Sequence, residues 1–182
     1  MDGFSFAVIV QLFVLLNPLT SLPFLVAARQ KKLNVEKIAL KAIGVAFLIA
    51  VSIIFVGPLL FNIFGIRLDS FRIAAGVVLL LLGLHMVNPR YETHHEHFKG
   101  VNGLITIIAT PLLTGPATIS FLTIKVYEFG KLPMLLNVFI AFIFVGIVFM
   151  LFSFMIEKVN LRIADVASRV LGLFLTAVAI EM

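Results

Sequence analysis

Cysteine does not occur in this chain of 182 residues. Its absence excludes disulfides, thiol catalysis and Cys-ligated zinc, and says little about compartment. Charge is scarce too. Only 13% of the residues are Asp, Glu, Lys or Arg, about half the share of a soluble domain. The nine acidic residues all fall in loops or toward the ends of apolar runs, so no carboxylate pair is buried together. There is also no Ser–His pair at one depth and no HExxH helix motif, so no catalytic residue is assigned and an enzyme is not expected.

What fills the chain instead is apolar. Hydrophobic residues make up 62% of it, and the mean hydropathy is +1.17. A membrane span needs roughly 20 mostly apolar residues. Six such runs, Phe4–Ala28, Ile38–Phe64, Ser70–Val87, Val101–Ile124, Leu132–Ile156 and Ala164–Met182, leave no room for a soluble domain. Asp2 stands where a signal peptide would be basic, and no small-residue cleavage site follows the first run, so that run is read as a span.

The net charge of +5 does not point to nucleic acid, because the basic residues sit in short loops beside apolar runs. Arg29, Lys31, Lys32, Lys37 and Lys41 flank the first connection, Arg90 and Lys99 the third, and Lys158, Arg162 and Arg169 the fifth. The opposite side holds only Arg67, Arg72, Lys125 and Lys131. The richer side is read as cytoplasmic, which puts a multi-pass protein in the plasma (inner) membrane with both termini outside.

An internal echo carries more information than any single residue. Asn17-Pro18-Leu19-Thr20-Ser21-Leu22-Pro23 in the first run is matched by Thr110-Pro111-Leu112-Leu113-Thr114-Gly115-Pro116 in the fourth, 93 positions on. Arg72-Ile73-Ala74-Ala75 in the third is matched by Arg169-Val170-Leu171-Gly172 in the sixth, 97 positions on. Two matches in one order suggest a duplicated three-helix unit. An odd number of spans forces the second copy to enter from the other side. The expected fold is therefore all-α, a polytopic membrane protein with six transmembrane helices in a 3+3 inverted repeat. Residues 1–182 form one domain, with repeat A over 1–88, repeat B over 100–182 and a cytoplasmic linker over 89–99.

Each proline removes a backbone donor and crowds the turn before it, at about 3 kcal/mol in a helix interior. Pairs such as Pro18 with Pro23 and Pro111 with Pro116 therefore predict breaks in helices 1 and 4, near the bilayer centre. Backbone opened at that depth must be buried in protein or line a cavity. The resumed helices present N–H groups and partial positive charge, and the interrupted ones present carbonyls. Such ends suit the carboxylate and ammonium of a small zwitterion. Asn17, Thr20, Ser21, Thr110, Thr114 and Thr118 add neutral hydrogen-bonding groups, and Gly115 keeps the space small. These residues are the candidate substrate site.

The same segments resemble a known family. Asn17-Pro18…Pro23 is similar to the N-P-x-G-x-x-P stretch of MarC-type membrane proteins, also called the UPF0056 group, with Thr20 in place of that glycine. Pro111-Leu112-Leu113-Thr114-Gly115-Pro116 resembles the family's P-L-L-x-G-P element. Gly65-Ile66 with Arg72-Ile73-Ala74-Ala75-Gly76 resembles its FGI…RIAGG region, and Arg169-Val170-Leu171-Gly172 the matching stretch of its last helix. The resemblance implies a six-helix inner-membrane protein related to LysE-type exporters and, for some members, transport of glycine or alanine. Family members usually continue past the position of Met182.

The expected function is secondary transport of small neutral amino acids, with a passive channel for small neutral solutes, or export of another small metabolite, as alternatives. Asn17-Pro18 resembles one half of the Asn-Pro-Ala pair of water and glycerol channels, but its counterpart here is Thr110-Pro111. No cofactor is expected, and Na+ or H+ remains open as the coupling ion. The partners expected are the zwitterionic substrate and the lipid bilayer, with no nucleic acid, and a homo-oligomer fits the reading. Asp69 with Arg72, and Asp165 with Arg169, are candidate gates, with helix capping as the plainer role. His94-His95-Glu96-His97 reads as a solvated loop rather than a metal site, His85 as a helix-end group, and Gly57-Pro58 as a bend.

Overall fold

The computed structural model describes residues 4–88, 101, 115–155 and 161–181. Among them the regular structure is entirely helical. The helices are α1 Phe6–Leu16, α2 Leu22–Gln30, α3 Val35–Phe64, α4 Leu68–Val87, α5 Pro116–Phe129, α6 Lys131–Phe154 and α7 Leu161–Glu181. Among the described residues, five stretches are long and apolar enough to cross a bilayer: Phe6–Gln30, Val35–Leu60, Leu68–Val87, Lys131–Phe154 and Ile163–Glu181. The first expected span thus consists of α1 and α2 in succession. Most of the expected fourth span, Val101–Ile124, and the His94–His97 loop lie outside the described residues.

Local chemistry sets the helix limits. Ser5 caps α1 by accepting a hydrogen bond from the Val8 N–H at 3.5 Å. Its own N–H donates to the Asn137 side-chain oxygen at 2.9 Å, which ties the start of α1 to α6. The α-helical hydrogen bonding of α1 stops at Asn17, whose backbone is left-handed (φ 31, ψ 77). Pro18 has no N–H to offer the Val14 carbonyl. A single 3-10 turn over Pro18–Ser21 follows, in which the Thr20 N–H and hydroxyl both donate to the Asn17 carbonyl, at 3.2 and 2.9 Å. α2 then starts with Pro23 in its first turn. Gly65 (φ 61) follows the end of α3, and Gly130 (φ 86) separates α5 from α6; both backbones are left-handed.

α3 runs through Pro58 without interruption. The Pro58 carbonyl accepts a hydrogen bond from the Tyr127 hydroxyl of α5 at 3.2 Å. α5 runs beyond the expected edge at Ile124 and takes Lys125 and Glu128 into the helix. Here the apolar pattern marks the bilayer boundary, whereas Gly130 marks the helix boundary.

Small residues set the packing. Ala39, Ala42, Ala46 and Ala50 form a fully buried stripe on α3, a helix that packs on α6 and α5. The most extensive interface joins α4 and α7. There a Cβ on Gly83 would meet the Gly172 carbonyl oxygen at 2.9 Å, and one on Gly172 would meet the Gly83 oxygen at 2.9 Å. Close backbone approach through small residues is how helices associate where lipid removes the hydrophobic drive between them. Large apolar side chains such as Leu48, Phe55, Ile73 and Leu81 point outward instead, as suits a surface facing lipid.

Candidate functional site

The interruption after α1 and the start of α5 open onto one cavity of about 510 Å³. Leu15, Asn17 and Thr20 line it from the first segment, Val78, Leu82, His85 and Met86 from the second half of α4, and Gly115, Ala117 and Thr118 from the first turn of α5. Four residues that the sequence pattern nominates, Asn17, Thr20, Gly115 and Thr118, thus share a space. Ser21 is buried but does not line it. Thr110, Pro111 and Thr114 lie outside the described residues, as does the N-terminal side of any break in helix 4; Pro116 opens α5.

Asn17 is the centre of the arrangement. It is 2% exposed, and its amide nitrogen reaches the Met86 sulfur at 3.8 Å. Its side-chain oxygen is buried with no hydrogen-bond partner among the described residues. A buried acceptor left unmade costs about 1–3 kcal/mol. Across the space, α5 presents its N-terminal end and its partial positive charge. Gly115 has an extended backbone (φ −71, ψ −179) that any residue adopts. A need for glycine there is therefore one of space. No Asp, Glu, Lys or Arg lines this cavity among the described residues.

The candidate gates divide. Asp165 and Arg169 do pair, at 2.8 Å across one turn of α7. Asp69 and Arg72 do not. Asp69 lies 3.9 Å from Arg67 with both side chains largely exposed, while Arg72 reaches across to Glu128 of α5 at 2.6 Å. Spacing along the chain nominates a partner three positions away for Arg72, but its long side chain meets the neighbouring helix instead. Glu128 and its second partner, Lys125 at 2.7 Å, escape the hydropathy reading because it ends the span before them. Helical spacing is the signal that finds them, since Thr118, Phe121, Lys125 and Glu128 fall on one face. His85, read from the sequence as a helix-end group in preference to a proton relay, lines the cavity.

A bundle of apolar helices around an interrupted segment and a neutral polar cavity defines an integral, multi-pass membrane protein. The chain belongs to the MarC family of integral membrane proteins, whose family model matches residues 3–182. It is similar to a UPF0056 membrane protein of Methanocaldococcus jannaschii, 27% identical over 94% of this chain and 89% of the relative. A UPF0056 membrane protein of Aquifex aeolicus is 27% identical over 93% and 86%. The UPF0056 membrane protein YhcE of Escherichia coli is 24% identical over 97% and 88%. No solved structure matches the chain.

Proposed function

We propose that this protein is a secondary transporter of small neutral amino acids, glycine- and alanine-like zwitterions, across the plasma membrane. One observation carries the reading: Asn17, Thr20, Gly115 and Thr118 line a single cavity with no Asp, Glu, Lys or Arg among its described lining residues. The α-carboxylate would approach the N-terminal end of α5, which attracts anions. The ammonium would be met by the Asn17 side-chain oxygen and the carbonyls of the interrupted turn. A charged substrate side chain would find no counter-ion, which restricts the class to neutral amino acids.

The 3+3 inverted repeat belongs to the same proposal. The two matched pairs of segments support it, and α4 and α7, which carry one of those pairs, pack against each other. Both termini face outward in this reading, and the coupling ion is Na+ or H+, with no cofactor. The test is uptake of glycine and alanine by purified protein in liposomes under an imposed sodium or proton gradient. Accumulation under either gradient is expected. Equilibration of small neutral solutes without accumulation under any gradient would replace the carrier with a channel.

A further inference from the structure

A second cavity, of about 200 Å³, lies at the end of the bundle where α1 and α4 begin and α5 and α7 finish. It differs from the first in being charged. Arg72 from α4, Lys125 and Glu128 from α5, and Glu181 from α7 line it, with Gln11 from α1 and Phe121 from α5. The Glu128 carboxylate serves two cations at once, accepting from Arg72 Nη2 on Oε1 and from Lys125 Nζ on Oε2. Arg has five N–H donors and Lys three, so each cation keeps donors to spare. The Lys125 side chain is only 19% exposed, which strengthens its pull on an anion relative to bulk water. Glu181 is exposed on the last turn of α7 and offers an acceptor-only carboxylate at the same space.

The two cavities lie in series along α5. Thr118 lines the neutral one, and Phe121, Lys125 and Glu128 line the charged one at the next helical positions of the same face. Phe121, 1% exposed, falls between Thr118 and Lys125 on that face.

We propose that the charged cavity is a second binding site for a small zwitterionic amino acid, with its carboxylate on Arg72 and Lys125 and its ammonium on Glu181. The substrate class rests on the transport reading above; the site itself rests on the donors and acceptors of this cavity. Substrate bound here waits on the far side of Phe121 from the neutral cavity.

The absence of native cysteine makes the test direct, because an introduced cysteine is the only thiol. Val178→Cys reports on the charged cavity and Leu82→Cys on the neutral one. The rate of labelling by a small polar maleimide is measured on purified full-length protein with glycine, alanine, acetate or ethylamine. Glycine and alanine should slow labelling of Val178→Cys more than acetate does, and ethylamine should not slow it. Adding Arg72→Gln or Lys125→Gln should raise the glycine concentration needed for protection about tenfold, while Lys125→Arg should leave protection in place and protection of Leu82→Cys should not change. Protection at Leu82→Cys alone overturns this proposal and leaves the transport reading intact; protection at Val178→Cys alone does the reverse. Protection at neither position overturns both. Equal protection by acetate and glycine overturns the zwitterion assignment, and protection that survives both charge removals overturns the roles of Arg72 and Lys125.

Discussion

The neutral and charged cavities are lined by one face of α5, yet their chemistry is opposite. Around Thr118 recognition is left to an amide, hydroxyls, an imidazole and helix ends. Around Lys125 and Glu128, two to three turns further along, four charged side chains line a smaller space. In the proposed membrane placement, depth accounts for the difference. A charge at the bilayer centre costs about 2.5–3.5 kcal/mol on insertion scales, whereas near a helix end long side chains reach water and counter-ions. Helix ends supply partial charge at the centre without that cost, because the backbone dipoles are already part of the fold.

Placing charge where the structure has none should have the largest effect. Thr118→Lys should abolish glycine and alanine transport, while Lys125→Arg, which keeps the charge in the other cavity, should leave transport within about twofold of wild type, a fraction of 1.4 kcal/mol. Retained transport in Thr118→Lys would remove the case for an uncharged site. Asn17→Leu comes next. It deletes the buried oxygen that has no partner among the described residues, and on the proposed reading a loss of about tenfold or more in substrate affinity is expected, read as the concentration for half-maximal uptake.

Glu128→Gln should act on stability more than on the neutral cavity. It leaves Arg72 and Lys125 facing each other without their shared carboxylate. Both pairs are partly exposed, so a loss of about 1 kcal/mol or less is expected in a thermal melt. A melting point equal to wild type would show that the network contributes nothing measurable. Thr20→Val should be the mildest. Its hydroxyl donates to the Asn17 carbonyl at 2.9 Å, a bond worth about 0.5–1.5 kcal/mol, so uptake should fall severalfold at most.

Much of this architecture is legible in the order of the amino acids. Apolar runs locate the helices, since lipid demands about 20 apolar residues per span, and Asn17-Pro18 locates the end of α1 through a missing donor. The echo of one segment in another picks out Asn17, Thr20 and Gly115, and Thr118 follows two residues beyond it. It does not pick out the Arg72–Glu128 pair. Hydropathy ends the expected fourth span at Ile124, but a helix stops where its backbone is told to, here at Gly130. Nor does the pattern reveal that Met86 and His85 line the cavity, because that depends on how α4 rotates against α7. The Gly83–Gly172 contact sets that rotation, and two glycines in separate runs carry no sign that they meet.

The proposed transport mechanism depends on substrate entering the space beside Gly115. The most direct test compares glycine uptake by Gly115→Leu and Gly44→Leu in liposomes, with folding checked by gel filtration. Gly44 is exposed on α3, and a Cβ there meets nothing within 4 Å. Gly115→Leu is predicted to insert, fold and transport nothing, while Gly44→Leu transports at the wild-type rate. Normal uptake by Gly115→Leu, or equal loss in both variants, would contradict the mechanism.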